Sequence, residues 1–409
     1  WVGGLEIVHN LGILSVKKNI CENAGFLLTN KKGSYCSFYS KPSSRYHGLF
    51  YFDDKTMNMY KFIENIEMAG SNEILSLKNG FYFAERRKKD TVETFLMPKG
   101  FNSLIYELNC ENEVKLILDC KESFDNREWG RHYEISEKDG CIIVKFTKKT
   151  DRKEDATDGI EEFSLYLAIK SNNGVLKKNG EWIERHYDFD EKRNSKPFIR
   201  HVFNAVTLKG TKFAFSMSKD RKSAVKECLD VFGRIEELKS KEKFDFFEML
   251  KKENVKKIIK DEKISSEIKA AYINAVNSLN NLAVSNKNAG LFAGFPWFFQ
   301  FWARDSLISL KALSGINGEF AGKLMLDYLN QIADDGRLPN LAGNHASIKL
   351  GNADGHGWLF LRCSELIEKI SKNKETINSI RASIKAKLTP EPDLLLPLVC
   401  ALSYAKIPI

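Results

Sequence analysis

The chain has 409 residues, 43% hydrophobic and 29% charged, the composition of an ordinary globular protein with room for two or three cores. No run approaches the ~18–20 consecutive apolar residues of a membrane-spanning helix, so a membrane is not an expected partner. The net charge of +9 is spread as Lys beside Asp and Glu through every segment. Without an Arg-rich patch interleaved with aromatics, it argues against nucleic acid.

The opening WVGGLEIVHNLGILSVKK is interrupted by Glu6 and His9, and no basic region precedes it. It does not read as a signal peptide, and a chain without an initiator Met reads as mature or partial. The eight cysteines, Cys21, Cys36, Cys110, Cys120, Cys141, Cys228, Cys363 and Cys400, form no CxxC pair. They fit free thiols in a reducing cytoplasm rather than disulfides or zinc ligands. The seven histidines show no ligand spacing, so neither a metal nor a cofactor is expected.

Residues 1–235 read as a β-rich domain. Asn79-Gly80, between EILSL and FYFAE, is a two-residue hairpin signal, since both residue types tolerate positive φ. Val206 and Leu208 alternate with polar neighbours, and Phe213, Phe215 and Met217 alternate in turn beyond Lys209-Gly210. That pattern predicts a second hairpin. CIIVKF and FSLYLAI add strands, and many short strands with turns between them predict a sandwich. Arg45-Tyr46-His47-Gly48 fits a structural strand end.

The period changes near residue 240. Residues 236–264 read as a Lys-rich helical linker with a solvated charge run. From 265 to 409 helix follows helix. One apolar face runs through Ile268, Tyr272, Ala275, Leu279 and Leu282, and a second through Phe320, Leu324, Tyr328 and Ile332, ended by Asp335-Gly336. Trp358, Leu361, Leu366 and Ile370 mark a third helix, and Ile377, Ile380, Ile384 and Leu388 a fourth, stopped by Pro390. An apolar stretch at Leu394–Leu402 follows.

Chemistry concentrates in two loops. AGFPWFFQFWARDSLISL (293–310) carries Phe295, Trp297, Phe298, Phe299, Phe301 and Trp302 just before Arg304 and Asp305. Sugar rings lay apolar faces on aromatic planes while their hydroxyls need charged hydrogen-bond partners, and this segment supplies both. The same residues also suit a packed core with Arg304-Asp305 as an internal ion pair. The second loop runs from Asp334 through Asn340 to GNADGHGWLF (351–360) and places Asp354 at a helix start. Asp354 suits an N-cap. The functional alternative is a general acid beside Trp358, whose apolar ring would favour the protonated form.

AGFPWFFQFWARDSLISLKAL resembles the segment that opens the amylo-α-1,6-glucosidase domain of archaeal and bacterial glycogen-debranching enzymes. Its Trp-x-Arg-Asp-Ser core is similar to that of glucoamylases. GRLPNL followed by NADGHGWLF resembles the next two motifs of the debranching family. GFLLTNKKGSYCSFYSKPSSRYHGLFYF and TVETFLMPKGFNSL resemble two motifs of its N-terminal domain. The four segments stand in the family's order from Gly25 to Phe360. Gly355-His356-Gly357 and Ala303 depart from the family pattern, and Lys31-Lys32 replace a Gly-rich turn.

The resemblance implies a multidomain β + α protein, an N-terminal β-sandwich followed by an incomplete (α/α)6 toroid. It implies inverting hydrolysis of α-1,6-linked glucose on a glycogen limit dextrin, with Asp354 as general acid. Arg304 and Asp305 would hold the sugar, with Trp297, Trp302, Asn340 and Trp358 as further substrate contacts. The family's second carboxylate segment is not found before Ile409, so the base is expected beyond residue 409, in a longer chain or a separate C-terminal half. Other readings are a glucoamylase-like α-1,4-glucosidase, a toroidal disaccharide phosphorylase, and a non-catalytic glucan-binding protein or one half of a split enzyme.

Overall fold

The computed structural model describes residues 16–19, 23–70, 74–149, 162–285, 289–333, 337–342 and 354–370. The chain separates into two compact units, Trp1–Glu248 with Ile264–Ala271, and Met249–Lys263 with Tyr272–Ile409.

The first unit is an antiparallel β-structure. Its strands are β1 (Val16–Asn19), β2 (Leu28–Thr29), β3 (Tyr35–Ser37), β4 (Gly48–Asp53), β5 (Asn58–Met68), β6 (Ser76–Asn79) and β7 (Ala84–Arg87). They continue with β8 (Val92–Leu96), β9 (Ser103–Glu122), β10 (Arg131–Lys138), β11 (Cys141–Lys148), β12 (Phe163–Ser171), β13 (Val175–His186) and β14 (Ile199–Ser218). β9 and β14 are 20 residues each, against about 5–6 for an ordinary strand. Each serves two layers. The start of β9 pairs with β8 and its end with β5. The start of β14 pairs with β13 and its end with β12. One layer therefore runs β1-β6-β7-β8-β9-β14-β12-β11-β10 and the other β2-β3-β4-β5-β9-β14-β13.

The inner faces share one core. Phe62, Ile66, Leu116, Leu118 and Phe203 from one layer join Leu104, Tyr106, Val144, Phe146, Leu167 and Phe215 from the other. Ile105, Cys141, Ile143, Ala168 and Ala214 point to the opposite face, where Ala224, Val225, Cys228 and Val231 of helix α2 (Arg221–Gly233) cover them. CIIVKF thus reads as a continuous apolar run because both of its faces are buried. Helix α1 is the short turn Asp188–Lys192. The Asp220 side chain caps α2 by accepting from Ser223 N at 2.7 Å.

Two turn expectations need correction. Asn79 pairs with Ala84, so the loop between β6 and β7 holds four residues, Gly80 to Phe83, rather than two. Phe81 takes φ +70° there, and its N–H bonds back to Asn79 Oδ1 at 2.9 Å. The Lys209-Gly210 hairpin does not form. Residues 199–218 are one strand, and the partner register shifts between Gly210 and Lys212. Gly210 at φ +150° is the residue that permits this bulge, and a Cβ there would overlap Asn172 Oδ1.

Beyond Gly233 the described residues are mainly helical. α3 (Ile235–Leu250) and α4 (Glu253–Lys260) occupy most of the Lys-rich stretch. They are followed by α5 (Ser266–Leu282), a two-stranded hairpin of β15 (Ala283–Ser285) and β16 (Ala289–Leu291), then α6 (Ala303–Ile316), α7 (Gly318–Asn330) and α8 (Gly355–Ile370). α6 packs against both α7 and α8. Leu307, Leu310 and Leu313 meet Phe320, Leu324 and Tyr328 of α7 and Leu359, Phe360 and Cys363 of α8.

The stripe expected on α5 lies elsewhere. Ile268 is 60% exposed and Ala275 is exposed, while Ile273 and Val276 are buried and Leu279 and Leu282 flank the core. Apolar residues surround this helix, so spacing alone cannot choose its face. On α8 the buried line runs through Leu359, Phe360 and Cys363 rather than Leu361, which is 46% exposed. The expected helix at Ile377–Leu388, the Leu394–Leu402 stretch and Asp335-Gly336 fall outside the described residues.

Candidate active site

The loop between β16 and α6 is anchored from several sides. Gly294 and Phe298 pair across a tight turn containing the cis Phe295-Pro296 bond. Phe292 packs on Phe295 at 4.8 Å and on Phe301 at 4.6 Å between centroids. The Phe301 ring lies against Gly290, where any side chain would collide with it. Ser306 Oγ donates to Leu291 O at 3.2 Å, tying the first turn of α6 to the hairpin.

The aromatic cluster divides by burial. Phe299 and Phe301 are core residues, while Phe295, Trp297 and Trp302 are half-buried and Phe298 is 57% exposed. The core reading of the cluster therefore applies to two rings and leaves four at or near the surface. The Trp302 N–H is buried and has no acceptor among the described residues.

Backbone pairing brings the second loop alongside. Ala303 N donates to Asn340 O at 2.9 Å, and Ala342 N donates to Phe301 O at 2.9 Å. Trp302 bridges Leu341. Asn340 is half-buried and sits directly against the start of α6 through its main chain.

Arg304 and Asp305 occupy the first turn of α6, and both are exposed. A carboxylate at that position gains from the helix dipole. Asp305 also faces Tyr328, whose phenol is pushed above its ordinary value by burial and further by Asp305 and Asp327. The partner of Arg304 is Asp354, which lies 50 residues away. Arg304 Nε and Nη2 donate to Asp354 Oδ1 at 3.2 and 3.0 Å, and Nε lies 3.0 Å from Oδ2. The pair is open to solvent, its side chains 58% and 45% exposed.

Asp354 precedes α8, and its carbonyl accepts from Trp358 N at 3.2 Å, the first bond of the helix. Trp358 is half-buried, and the Arg362 guanidinium lies 5.4 Å from its ring. Arg362 is itself 6% exposed and ion-paired with Glu365. Its role beside Trp358 was legible as a Trp-x-x-x-Arg spacing on one helix face. The Arg304–Asp354 pairing carried no such local signal.

The structure therefore brings together Trp302, Arg304, Asp305, Asn340 and Asp354 around the start of α6, with Trp358 one turn into α8. Trp297 stands in the preceding loop. No group of three or more His, Cys, Asp or Glu residues suited to a metal occurs among the described residues. No described helix is long and apolar enough to cross a membrane.

No curated protein matches the chain. Residues 251–390, about a third of the chain, match the family model for amylo-alpha-1,6-glucosidase. The matched stretch contains every residue of the site just described, and it supports a glycogen-debranching type of glycosidase for this part of the sequence.

Proposed function

We propose that the chain acts on branched α-glucan as a glycogen-debranching α-glucosidase, releasing α-1,6-linked glucose from a limit dextrin with inversion. The observation that carries this reading is the open ion pair of Arg304 and Asp354 inside the matched stretch. Two charged groups from distant loops converge there beside exposed or half-buried rings.

Arg304 donates to the carboxylate of Asp354. A sugar hydroxyl that takes over the Arg304 hydrogen bonds frees Asp354 for the glycosidic oxygen. Asp354, released from Arg304, takes up a proton from solvent and donates it to the glycosidic oxygen as the C1–O bond breaks, and the dextrin chain leaves as an alcohol. Water attacks C1 from the other face and gives its proton to a second carboxylate, which an inverting site keeps about 6.5–9.5 Å from the acid. The reading assigns none of the described residues to that base. Asp305 and Arg304 grip the hydroxyls, Trp297, Trp302 and Trp358 offer ring faces, and Asn340 supplies an amide. The helices from α5 onward are read as the opening of an (α/α)6 toroid. The six described thiols, all free, suit a reducing cytoplasmic setting.

The test, made on protein that includes the segment carrying the base, is glucose release from a limit dextrin and from linear maltoheptaose, with the anomer followed by NMR. The reading expects β-glucose from the limit dextrin and little from the linear chain. Equal release from both would favour an α-1,4-glucosidase, and initial α-glucose would sink the inverting mechanism.

A further inference from the structure

We propose that the open edge of the sandwich carries a second α-glucan-binding site, centred on Trp182 and contained wholly within the first unit. The identity of the ligand rests on the proposed debranching function. The existence of a sugar site rests on the edge itself.

β10 and β13 are the end strands of the two layers. Between them Tyr133 lies flat on Phe203, with centroids 4.3 Å apart and planes 3° from parallel. Trp182 stands edge-on to both rings, at 5.6 and 5.2 Å. A tryptophan serving only to close the edge would be buried, yet Trp182 is 44% exposed. The Arg131 guanidinium lies 4.5 Å from the indole. Arg131 is fixed by donating to His201 O at 2.8 Å and Glu128 O at 3.0 Å. This supported Arg–Trp pair lines a groove of about 430 Å³ together with His132, Tyr133, Glu134 and Lys145, within the ~300–1,000 Å³ range of small-molecule sites.

The charges select the ligand class. Lys145 pairs with Glu134 at 3.4 Å, and Arg131 pairs with Asp119 at 3.5 Å and Glu128 at 3.3 Å. Arg131 and Lys145 are already answered within the protein, and the other two charged residues of the lining, Lys149 and Glu162, carry opposite signs, so the groove offers no net positive charge to a phosphate or carboxylate. It offers rigid rings and oriented polar groups, which suit a neutral, hydroxyl-rich chain.

The experiment is native electrophoresis of the full chain through gels containing glycogen or a β-glucan, with melting curves on the same samples. Trp182→Ala should weaken glycogen retardation by about three- to tenfold in dissociation constant, and Trp182→Phe should restore most of it. Melting temperature and glucose release from a short limit dextrin should stay at the parent values. Undiminished retardation of Trp182→Ala would overturn the site, as would a matching loss of binding and melting temperature in both variants. Trp182-dependent retardation by β-glucan alone also overturns it. Trp182-dependent binding of glycogen upholds the site whether or not glucose is released, so the site and the hydrolase reading are tested separately.

Discussion

Each unit holds an aspartate bound by arginine, and the two pairs differ in what water can reach. In the sandwich, Asp119 is fully buried and lies 3.1 Å from Arg200, 3.5 Å from Arg131 and 3.8 Å from Lys61. Burial would raise its pKa, but Arg200, Lys61, Lys121 and Arg131 together hold it well below the usual carboxylate range. In the helical unit, Asp354 meets Arg304 alone among the described residues, and both face solvent. Taking charges out of water is costly, and a buried pair that loses one member leaves the other stranded. An exposed pair is worth little and exchanges partners readily. The comparison separates an ion cluster committed to the fold from an ion pair a ligand can enter.

The largest contrast is in rate. On the proposed reading, Asp354→Asn lowers glucose release about 10²–10⁴-fold while glycogen affinity and urea unfolding stay near the parent values. Normal turnover in that variant would reduce Asp354 to a helix-start residue. Next, Asp119→Ala should cost about 3–5 kcal/mol in urea unfolding of the sandwich, because Arg200 and Lys61 lose their shared counter-charge. A loss below about 1 kcal/mol would show that water reaches the cluster.

Lys121 gives a smaller, pH-dependent test of the same cluster. Burial and then Arg200 lower its pKa to about 7, against the pull of Asp119. The unfolded lysine titrates near ~10.4, so between pH 7 and 10 the unfolded chain binds more protons than the native one. Stability should therefore rise with pH across that window, and Lys121→Met should flatten the slope in unfolding curves. An unchanged slope would assign the pH dependence to other groups. The smallest effect is expected for Arg304→Ala, which should shift unfolding by under about 1 kcal/mol. A large destabilisation there would make the Arg304–Asp354 pair structural after all.

The contrast also marks what the sequence could tell. The alternation around Phe213-Phe215-Met217 declared a strand because side-chain direction repeats every two residues, and CIIVKF declared one as a short continuous apolar run. The same alternation could not say that 199–218 is one strand, because a Gly that turns a hairpin and a Gly that forms a bulge look alike in isolation. Among the described residues, α5, α7 and α8 were legible in approximate place. Their buried faces were less so, since Ile268 and Leu361 are as apolar as the residues that pack. At the site, the residue types and loops were legible. The joining of Arg304 to Asp354 is a product of tertiary packing, in which α6 lies against α8. The Asp119 cluster was invisible because its members come from β5, β9, β10 and β14.

The two shared strands bear on how this protein is made. β9 is complete at Glu122, but its partner β14 runs from Ile199 to Ser218. A growing chain therefore displays a long, largely apolar strand with an open hydrogen-bonding edge until β14 has left the ribosome. Such edges recruit other chains, and pairings this distant in sequence close slowly. During synthesis, the interval between Glu122 and Ser218 is the stretch in which a chaperone has the most surface to protect.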